Sequence, residues 1–262
     1  MIILVTGSSG FIGSRLVKRI RMETKHEVVG LDPRWGAMTN IVGWPSKECR
    51  GEVYDAVIHL GAMADMEACE KDPRAAWRAN VFETLRLLEL APTERFVYVS
   101  TVAARPDAET VYGLTKWCAA EAARYRGSRE VILPNVYGFN SNGVVSNFIL
   151  QRSPVIYGKG NHQREFIYID DVVEALITAA EKNVDGRYLA FPAGEVTDIR
   201  TLAGMLGREK LKQLDERPFD VERPSAVSVM TPGRSLWAGL GQMIREVEAA
   251  GMKHYSKKGG LL

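Results

Sequence analysis

The stretch Ile2-Ile3-Leu4-Val5-Thr6-Gly7-Ser8-Ser9-Gly10-Phe11-Ile12-Gly13 decides the architecture of this chain. Its first five residues are largely apolar and β-branched, which is typical of a strand buried on both faces of a parallel sheet. The glycines then lead into Ser14–Met22, where apolar residues recur at helical spacing. A strand, a glycine turn and a helix in this order predict a phosphate-binding turn. Glycine lets the backbone approach the phosphate closely, and the helix N-terminus favours an anion.

A second strand is predicted over Glu27–Leu31, and Asp32 follows it directly. A carboxylate at this position of a dinucleotide-binding unit accepts hydrogen bonds from the adenosine ribose and repels a 2′-phosphate. The residue therefore favours NAD over NADP. Arg34 weakens this preference, because it can pair with a phosphate, although it can equally be a solvated loop arginine.

The rest of the first half alternates buried runs with helical stretches. Strands are predicted at 56–60, 95–100 and 130–133, and helices at 73–90 and 112–126. This alternation implies right-handed crossovers and an α/β fold with a Rossmann-type, doubly wound parallel sheet. Loop signals become frequent beyond residue 138. We expect a cofactor domain over 1–138 and a small, interleaved substrate lobe over 139–262, with no clean linker between them.

One helix of the second half is predicted over Asp171–Glu181, opened by a capping box of Asp171 and Glu174. Capping explains Asp171 without a catalytic role, so Asp170 and Asp171 are left out of the predicted site.

The composition is that of an ordinary globular protein. The 34 Lys and Arg residues nearly balance the 32 Asp and Glu residues and are spread along the 262-residue chain, which gives no reason to expect a nucleic-acid or anionic membrane partner. No apolar run approaches the roughly 18–20 residues that span a bilayer. Three scattered cysteines, Cys49, Cys69 and Cys118, suit a reducing compartment and form no metal-ligand cluster, so we expect a cytoplasmic protein without a metal.

A second group of polar residues suggests acid–base chemistry. Tyr112 and Lys116 are four residues apart in a predicted helix and so share one face. A nearby cation lowers the pKa of a tyrosine and makes it usable as a base near neutral pH. Ser100 and Thr101 end the apolar run before this helix, which places hydroxyl groups at the carboxyl edge of the sheet, where open α/β folds bind ligands.

Together these motifs resemble the extended short-chain dehydrogenase/reductases, specifically the NAD-dependent sugar-nucleotide epimerase/dehydratase group that includes UDP-glucose 4-epimerases. The resemblance covers most of the chain. It rests on Thr6–Gly13, Asp55-Ala-Val-Ile-His59-Leu-Gly-Ala62, Asn80-Val81, Ser100-Thr101, Tyr112 with Lys116, Asn135-Val-Tyr-Gly138, Tyr157-Gly-Lys-Gly160 and Arg164-Glu-Phe-Ile-Tyr-Ile-Asp-Asp171.

The resemblance implies roles for individual residues. Thr101 corresponds to the hydroxyl partner of the reacting sugar oxygen, Tyr112 to the acid/base, and Lys116 to the residue that holds the nicotinamide ribose. The implied NAD-binding set is Gly7, Gly10, Phe11, Ile12, Gly13, Asp32, Leu60, Gly61, Ala62, Asn80, Tyr112 and Lys116. The implied substrate-binding set is Thr101, Asn135, Asn147, Arg164, Arg217 and Asp220. Independently, two arginines suit a diphosphate, because guanidinium binds phosphate oxygens bidentately. His59 is interpreted as a packed residue near the cofactor.

The chain also departs from the family. Between Asp32 and Asp55 it is short, and the carboxylate that usually contacts adenine cannot be assigned, which predicts a more open adenine pocket. Family dehydratases place acidic residues directly after the threonine, and decarboxylating relatives also place a glutamate in this stretch. Here Val102 and Ala103 follow Thr101.

The absence of an acid there favours epimerisation at C4 of a nucleotide-diphosphate hexose, with a UDP-hexose as the first candidate. An NAD(P)-dependent reductase of a keto sugar or another carbonyl compound, a 4,6-dehydratase, and a non-catalytic NAD-sensing protein remain alternatives. A homodimer through paired helices is also possible, because Trp117, Ala120 and Ala123 are apolar, but these residues can equally belong to the core.

Overall fold

A computed structural model describes residues 1–32, 53–91, 93–182, 189–190, 194–208, 210–215 and 234–254. The chain forms two compact units. The first comprises Met1–Leu133 and Val173–Phe191, and the second comprises Pro134–Val172 and Pro192–Leu262. Each unit therefore contains two separate pieces of the chain. The proposed division into a cofactor domain and a substrate lobe at residue 138 stays a prediction.

The first unit is built on a parallel sheet. Among the described residues its strands are β1 (Ile2–Thr6), β2 (Glu27–Leu31), β3 (Ala56–His59), β4 (Phe96–Thr101), β5 (Arg129–Leu133) and β9 (Leu189–Ala190). They lie in the order β2-β1-β3-β4-β5-β9, and every neighbouring pair is parallel. The order reverses at β1, with β2 on one side and β3 on the other. This arrangement confirms the predicted Rossmann-type sheet and places its ligand-binding crevice at the carboxyl ends of β1 and β3.

The helices of this unit are α1 (Phe11–Glu23), α2 (Met66–Lys71), α3 (Pro73–Trp77), α4 (Glu83–Leu90) and α5 (Val111–Tyr125), together with the later part of α7 (Ile169–Glu181). A π-helical turn, Arg78–Phe82, joins α3 to α4 within the helix predicted over 73–90. Ala120 and Ala123 lie in the hydrophobic core with Phe96 and Tyr98. The core interpretation of these two alanines is therefore correct, and a dimer stays a prediction.

The second unit contains two small sheets. In one, β8 (Gln163–Tyr168) pairs parallel with β6 (Asn135–Tyr137) and antiparallel with β10 (Glu195–Asp198). In the other, β7 (Val155–Tyr157) pairs with β11 (Lys212–Leu214). The described helices are α6 (Val144–Leu150), α8 (Ile199–Met205) and α9 (Leu236–Ala249). The Tyr137 hydroxyl donates to the Leu236 carbonyl at 3.2 Å and so ties α9 to the larger of the two sheets.

The predicted capping box at Asp171 is wrong. Strand β8 runs directly into α7, which begins at Ile169, so Asp171 lies inside the first helical turn. Its carboxylate accepts a hydrogen bond from Arg234 at 2.7 Å. Acidic residues are favourable throughout a first turn because of the helix dipole, so the spacing of Asp171 and Glu174 does not identify the N-cap. In the described part of the chain, none of the helices has the length and apolar character needed to cross a membrane.

Candidate active site

The turn between β1 and α1 is held closed by its glycines. Gly7 has a φ of +66°, which favours glycine, and a Cβ there would lie 2.9 Å from the Gly61 nitrogen. A Cβ on Gly13 would overlap the Gly7 carbonyl oxygen, which accepts from the Gly10 amide at 2.9 Å. The turn therefore lies directly against the loop that follows β3, Leu60–Met63, and leaves no room for a side chain at Gly7 or Gly13.

The same turn offers the groups that a dinucleotide needs. Helix α1 begins after Gly10, and its N-cap has no side-chain hydrogen bond among the residues that the structure describes. Its first amides are thus suited to an anion, such as a diphosphate. The largely buried Asp32 follows β2 and accepts a hydrogen bond from the Ser9 amide at 3.0 Å through one carboxylate oxygen. These residues fit the diphosphate and ribose of NAD. Arg34 and most of the short segment before Asp55 lie outside the described residues.

The start of α5 is fixed from three directions. The Thr110 hydroxyl accepts from the Gly113 amide at 3.1 Å, and the Glu70 carboxylate accepts from the Val111 amide at 2.7 Å. A Cβ on Gly113 would lie 2.6 Å from the Ala103 carbonyl oxygen. Helix α5 thus begins in close contact with the segment that follows Thr101. Thr101 ends β4 and Tyr112 is the second residue of α5, so this contact brings the hydroxyl-bearing strand end to the start of the tyrosine-bearing helix.

Neither cap was predicted from the sequence. Thr110 is a threonine directly before the helical pattern, which is a recognisable N-cap signal. Glu70 has no such signal, because it reaches α5 from a separate helix, α2.

Lys116 lies beneath this edge of the sheet. Its side chain is buried, and Nζ donates to the Val99 carbonyl at 2.7 Å and lies 4.3 Å from the centroid of the Tyr98 ring. Burial lowers the pKa of Lys116 from 10.5 to about 7, partly opposed by the Glu130 carboxylate. The amine is therefore a group that gains and loses its proton near neutral pH, one helical turn after Tyr112.

Asn80, in the π-helical turn, holds the loop after β3. Its Oδ1 accepts from the Met63 amide at 2.7 Å, while Nδ2 donates to the Met63 carbonyl at 3.2 Å and to the Thr115 hydroxyl at 2.9 Å. Thr115 in turn donates to the Tyr112 carbonyl at 3.0 Å. Asn80 therefore connects the loop to the first turn of α5, and both hydrogens of its Nδ2 are used within the protein.

The predicted substrate residues that the structure describes, other than Thr101, belong to the second unit. Asn135 is exposed at the start of β6 and donates to the Glu165 carbonyl at 3.0 Å. Asn147 accepts from the Val155 amide at 3.3 Å. Arg164 is partly exposed in β8, the neighbour of β6. Arg217 and Asp220 lie outside the described residues.

Comparison with known proteins identifies the family. The sequence profile of the NAD dependent epimerase/dehydratase family matches residues 3–190. The chain belongs to this family. The resemblance predicted from the motifs is thereby confirmed, and with it an enzyme whose cofactor is NAD.

Three individual relatives share less than 30% sequence identity with this chain. The UDP-glucose 4-epimerase of Mycolicibacterium smegmatis is 29% identical, over 78% of this chain and 82% of that protein. UDP-glucuronic acid decarboxylase 1 of Arabidopsis thaliana is also 29% identical, over 74% of this chain and 55% of that protein. Among solved structures, MoeE5 in complex with UDP-glucose and NAD has a TM-score of 0.82 at 23% identity and matches 95% of this chain and 99% of that one. At this identity the structural match establishes the fold.

Proposed function

We propose that this enzyme epimerises C4 of a nucleotide-diphosphate hexose, with a UDP-hexose as the first substrate to test. The observation that carries the proposal is the end of β4. Thr101 is followed by a tight turn in which the Ala104 amide donates to the Thr101 carbonyl at 2.9 Å. Within this described turn, Val102 and Ala103 carry no ionisable group, and Ala103 is only 4% exposed. The turn supplies a hydroxyl group but no acid for the elimination that a dehydratase performs.

The proposed chemistry begins with proton removal by Tyr112. As a phenolate, Tyr112 takes the proton of the C4 hydroxyl group, while the Thr101 hydroxyl hydrogen-bonds the same sugar oxygen. NAD, when bound, supplies the oxidation of C4 to a ketone and its reduction back to an alcohol. Tyr112 keeps the proton near the substrate and returns it once the 4-keto sugar has turned its other face. Lys116, while protonated, favours the phenolate by charge.

The cofactor contacts are part of the same proposal. The amides of Phe11, Ile12 and Gly13 bind the diphosphate of NAD, next to the turn that Gly7 and Gly10 close. Asp32 binds the adenosine ribose, and Lys116 binds the nicotinamide ribose. Support comes from the uncapped start of α1 and from the position of Asp32 at the end of β2. Arg164 and Asn135, on neighbouring strands, are proposed to bind the substrate diphosphate, together with Asn147, Arg217 and Asp220.

Product analysis tests the reaction. The purified enzyme is incubated with UDP-glucose and then with other nucleotide hexoses, and the products are identified by mass and NMR. An epimerase converts the substrate to its C4 epimer at unchanged mass, with no stoichiometric NADH formed. A matched incubation with the Tyr112→Phe variant should form the epimer at least about 100-fold more slowly.

Other outcomes contradict the proposal in distinct ways. A product lighter by one water, with a 4-keto group and a C6 methyl group, indicates a dehydratase. Oxidation of added NADH or NADPH in proportion to product indicates a reductase. NAD binding without turnover of any sugar in the panel contradicts a nucleotide hexose as the substrate.

A further inference from the structure

The proposed chemistry makes no use of His59, although this residue is among the most constrained polar side chains of the first unit. His59 ends β3 and is 1% exposed. Its Nδ1 lies 2.6 Å from the Thr6 hydroxyl oxygen, and its Nε2 lies 2.9 Å from the Thr84 hydroxyl oxygen. Thr6 ends β1 and Thr84 lies in α4, so the ring joins two strands and a helix that covers them.

The hydrogen bonds around His59 fix which ring nitrogen carries the proton. The Thr84 hydroxyl donates its only hydrogen to the Asn80 carbonyl at 2.7 Å, so toward His59 it can only accept. Nε2 must therefore be protonated and donate to Thr84. In the neutral ring Nδ1 is then an acceptor, and it receives the hydrogen of the Thr6 hydroxyl.

Two side chains of this hydrogen-bond network hold the loop after β3 at two points. The Thr6 oxygen accepts from the Gly61 amide at 3.1 Å, while Asn80 binds both the amide and the carbonyl of Met63. His59 touches the first of these side chains directly and the second through Thr84. The loop in turn lies against the glycine turn, since a Cβ on Gly7 would be 2.9 Å from the Gly61 nitrogen.

We infer that His59 is a positioning residue which, in a fixed Nε2–H form, holds the loop after β3 at Gly61 and Met63 against the glycine turn and so shapes the cofactor site. This inference rests on the proposed placement of the cofactor at that turn. It assigns His59 no contact with the cofactor or the sugar and no proton transfer.

The surroundings of His59 keep the ring neutral. Burial is the main cause that lowers its pKa from 6.5 to about 3, and the nearby Lys116 ammonium adds to the effect. Within the described parts of the chain, the titratable groups that act on or face the ring are Lys116 of α5 and Tyr98 of β4, whose ring centroid is 5.9 Å away. A neutral ring with one fixed hydrogen can serve both threonines at once, whereas a protonated ring would present a second donor to Thr6 and reverse that hydrogen bond.

The first test needs no variant. Nitrogen NMR of the wild-type enzyme, labelled at histidine, should show His59 as the neutral Nε2–H form between pH 5 and pH 9. An Nδ1–H form, or a titration of His59 within that range, would overturn the inference.

The second test compares variants by NAD calorimetry and by hydrogen exchange of the loop amides. His59→Leu and Thr84→Val should each weaken NAD binding on the order of tenfold, because a buried hydrogen-bond partner is lost, and should speed exchange at Gly61 and Met63. Ser128→Ala is the matched control, because it removes a buried hydroxyl group elsewhere in the same unit. It should change neither quantity.

A merely structural role predicts a different pattern, namely a lower Tm with unchanged NAD affinity and unchanged loop exchange in the folded protein. That result for both variants would refute the inference. If His59→Leu does not fold, the Thr84→Val variant and the NMR of the wild-type enzyme still test the inference. None of these measurements involves a sugar. A negative epimerase assay would therefore not contradict the role of His59, and a negative result for His59 would not contradict the epimerase proposal.

Discussion

At the scale of single residues, Lys116 is placed at a cost to stability. Its ammonium is buried, with the Val99 carbonyl as an acceptor and the Tyr98 ring beneath it. Because burial lowers its pKa to about 7, the unfolded chain binds more protons than the folded one between about pH 7 and pH 10.5. The contribution of Lys116 to stability therefore rises with pH over that window, and the full penalty for the buried charge applies below it.

Replacing Lys116 with Met should remove this penalty together with the function. We expect the variant to lose turnover and to bind NAD more weakly. Its free energy of unfolding minus that of the wild type should be larger, meaning a relatively more stable variant, at pH 6 than at pH 9.5. Each pH unit is worth at most about 1.4 kcal/mol. Denaturant unfolding at the two pH values measures the difference. A difference that does not change with pH would show that Lys116 has an ordinary pKa.

Tyr112 is the residue on which the acid–base proposal depends. Tyr112→Phe keeps the ring and removes the hydroxyl group, so folding should change little. Turnover should fall by roughly 10²–10⁴-fold, the usual scale for loss of a general acid–base group. Single-turnover kinetics with the substrate found by product analysis measures the effect. Activity close to that of the wild type would mean that another group moves the proton.

At the scale of elements, the start of α5 is set by Gly113. A Cβ there would lie 2.6 Å from the Ala103 carbonyl oxygen and 2.9 Å from the Ala108 Cβ, and the backbone cannot yield cheaply. Gly113→Ala should therefore displace Tyr112 relative to Thr101 and lower kcat by at least about tenfold, because small misplacements near the chemistry are costly.

The matched control for Gly113→Ala is Gly204→Ala in helix α8, where no neighbouring atom lies within 4 Å of the added Cβ. This variant should be active and more stable by about 0.5–1 kcal/mol, since alanine favours a helix. An active Gly113→Ala enzyme would show that the contact with Ala103 does not position the site.

The elements of the first unit could be predicted from the sequence because their signals are local. Strands β1 and β2 have the predicted bounds, β3 and β5 differ from the prediction by one residue at one end, and β4 is shifted by one residue at both ends. The glycine turn and the motif residues Thr101, Tyr112 and Lys116 could be predicted for the same reason. The first residue of α7 was not, because an acidic pair three residues apart suits a first turn as well as an N-cap.

The contacts that assemble the site come from distant parts of the chain. Thr6 and His59 are 53 residues apart, and His59 and Thr84 are 25 apart. The register of β1 against β3, which pairs Thr6 with His59, is settled only when the sheet forms. A histidine within an apolar strand could therefore be predicted to be packed, but its two hydroxyl partners could not be named.

At the scale of the whole molecule, cofactor binding should appear as stability, because a ligand that binds only the folded chain stabilises it by mass action. At about 100 times its Kd, NAD should add about 2.7 kcal/mol and raise Tm by about 5–10 °C. Asp32 should make NADP at the same concentration less effective, because its carboxylate repels a 2′-phosphate. Thermal unfolding with each cofactor measures the difference between the two increases in Tm.

Two variants at Asp32 separate its charge from its contact with the turn. Asp32 accepts a hydrogen bond from the Ser9 amide, so Asp32→Ala should weaken the binding of both cofactors. It should also reduce the difference in affinity between NAD and NADP, because the charge is lost. Asp32→Asn keeps an oxygen acceptor for Ser9 and removes the charge. Asp32→Asn should reduce the difference in affinity between NAD and NADP as much as Asp32→Ala does. It should weaken the binding of both cofactors less than Asp32→Ala does. If NADP stabilises the wild-type enzyme as much as NAD does, Asp32 does not distinguish the two cofactors at the adenosine ribose. The choice of cofactor must then depend on residues beyond the end of β2, with Arg34 as the first to be replaced.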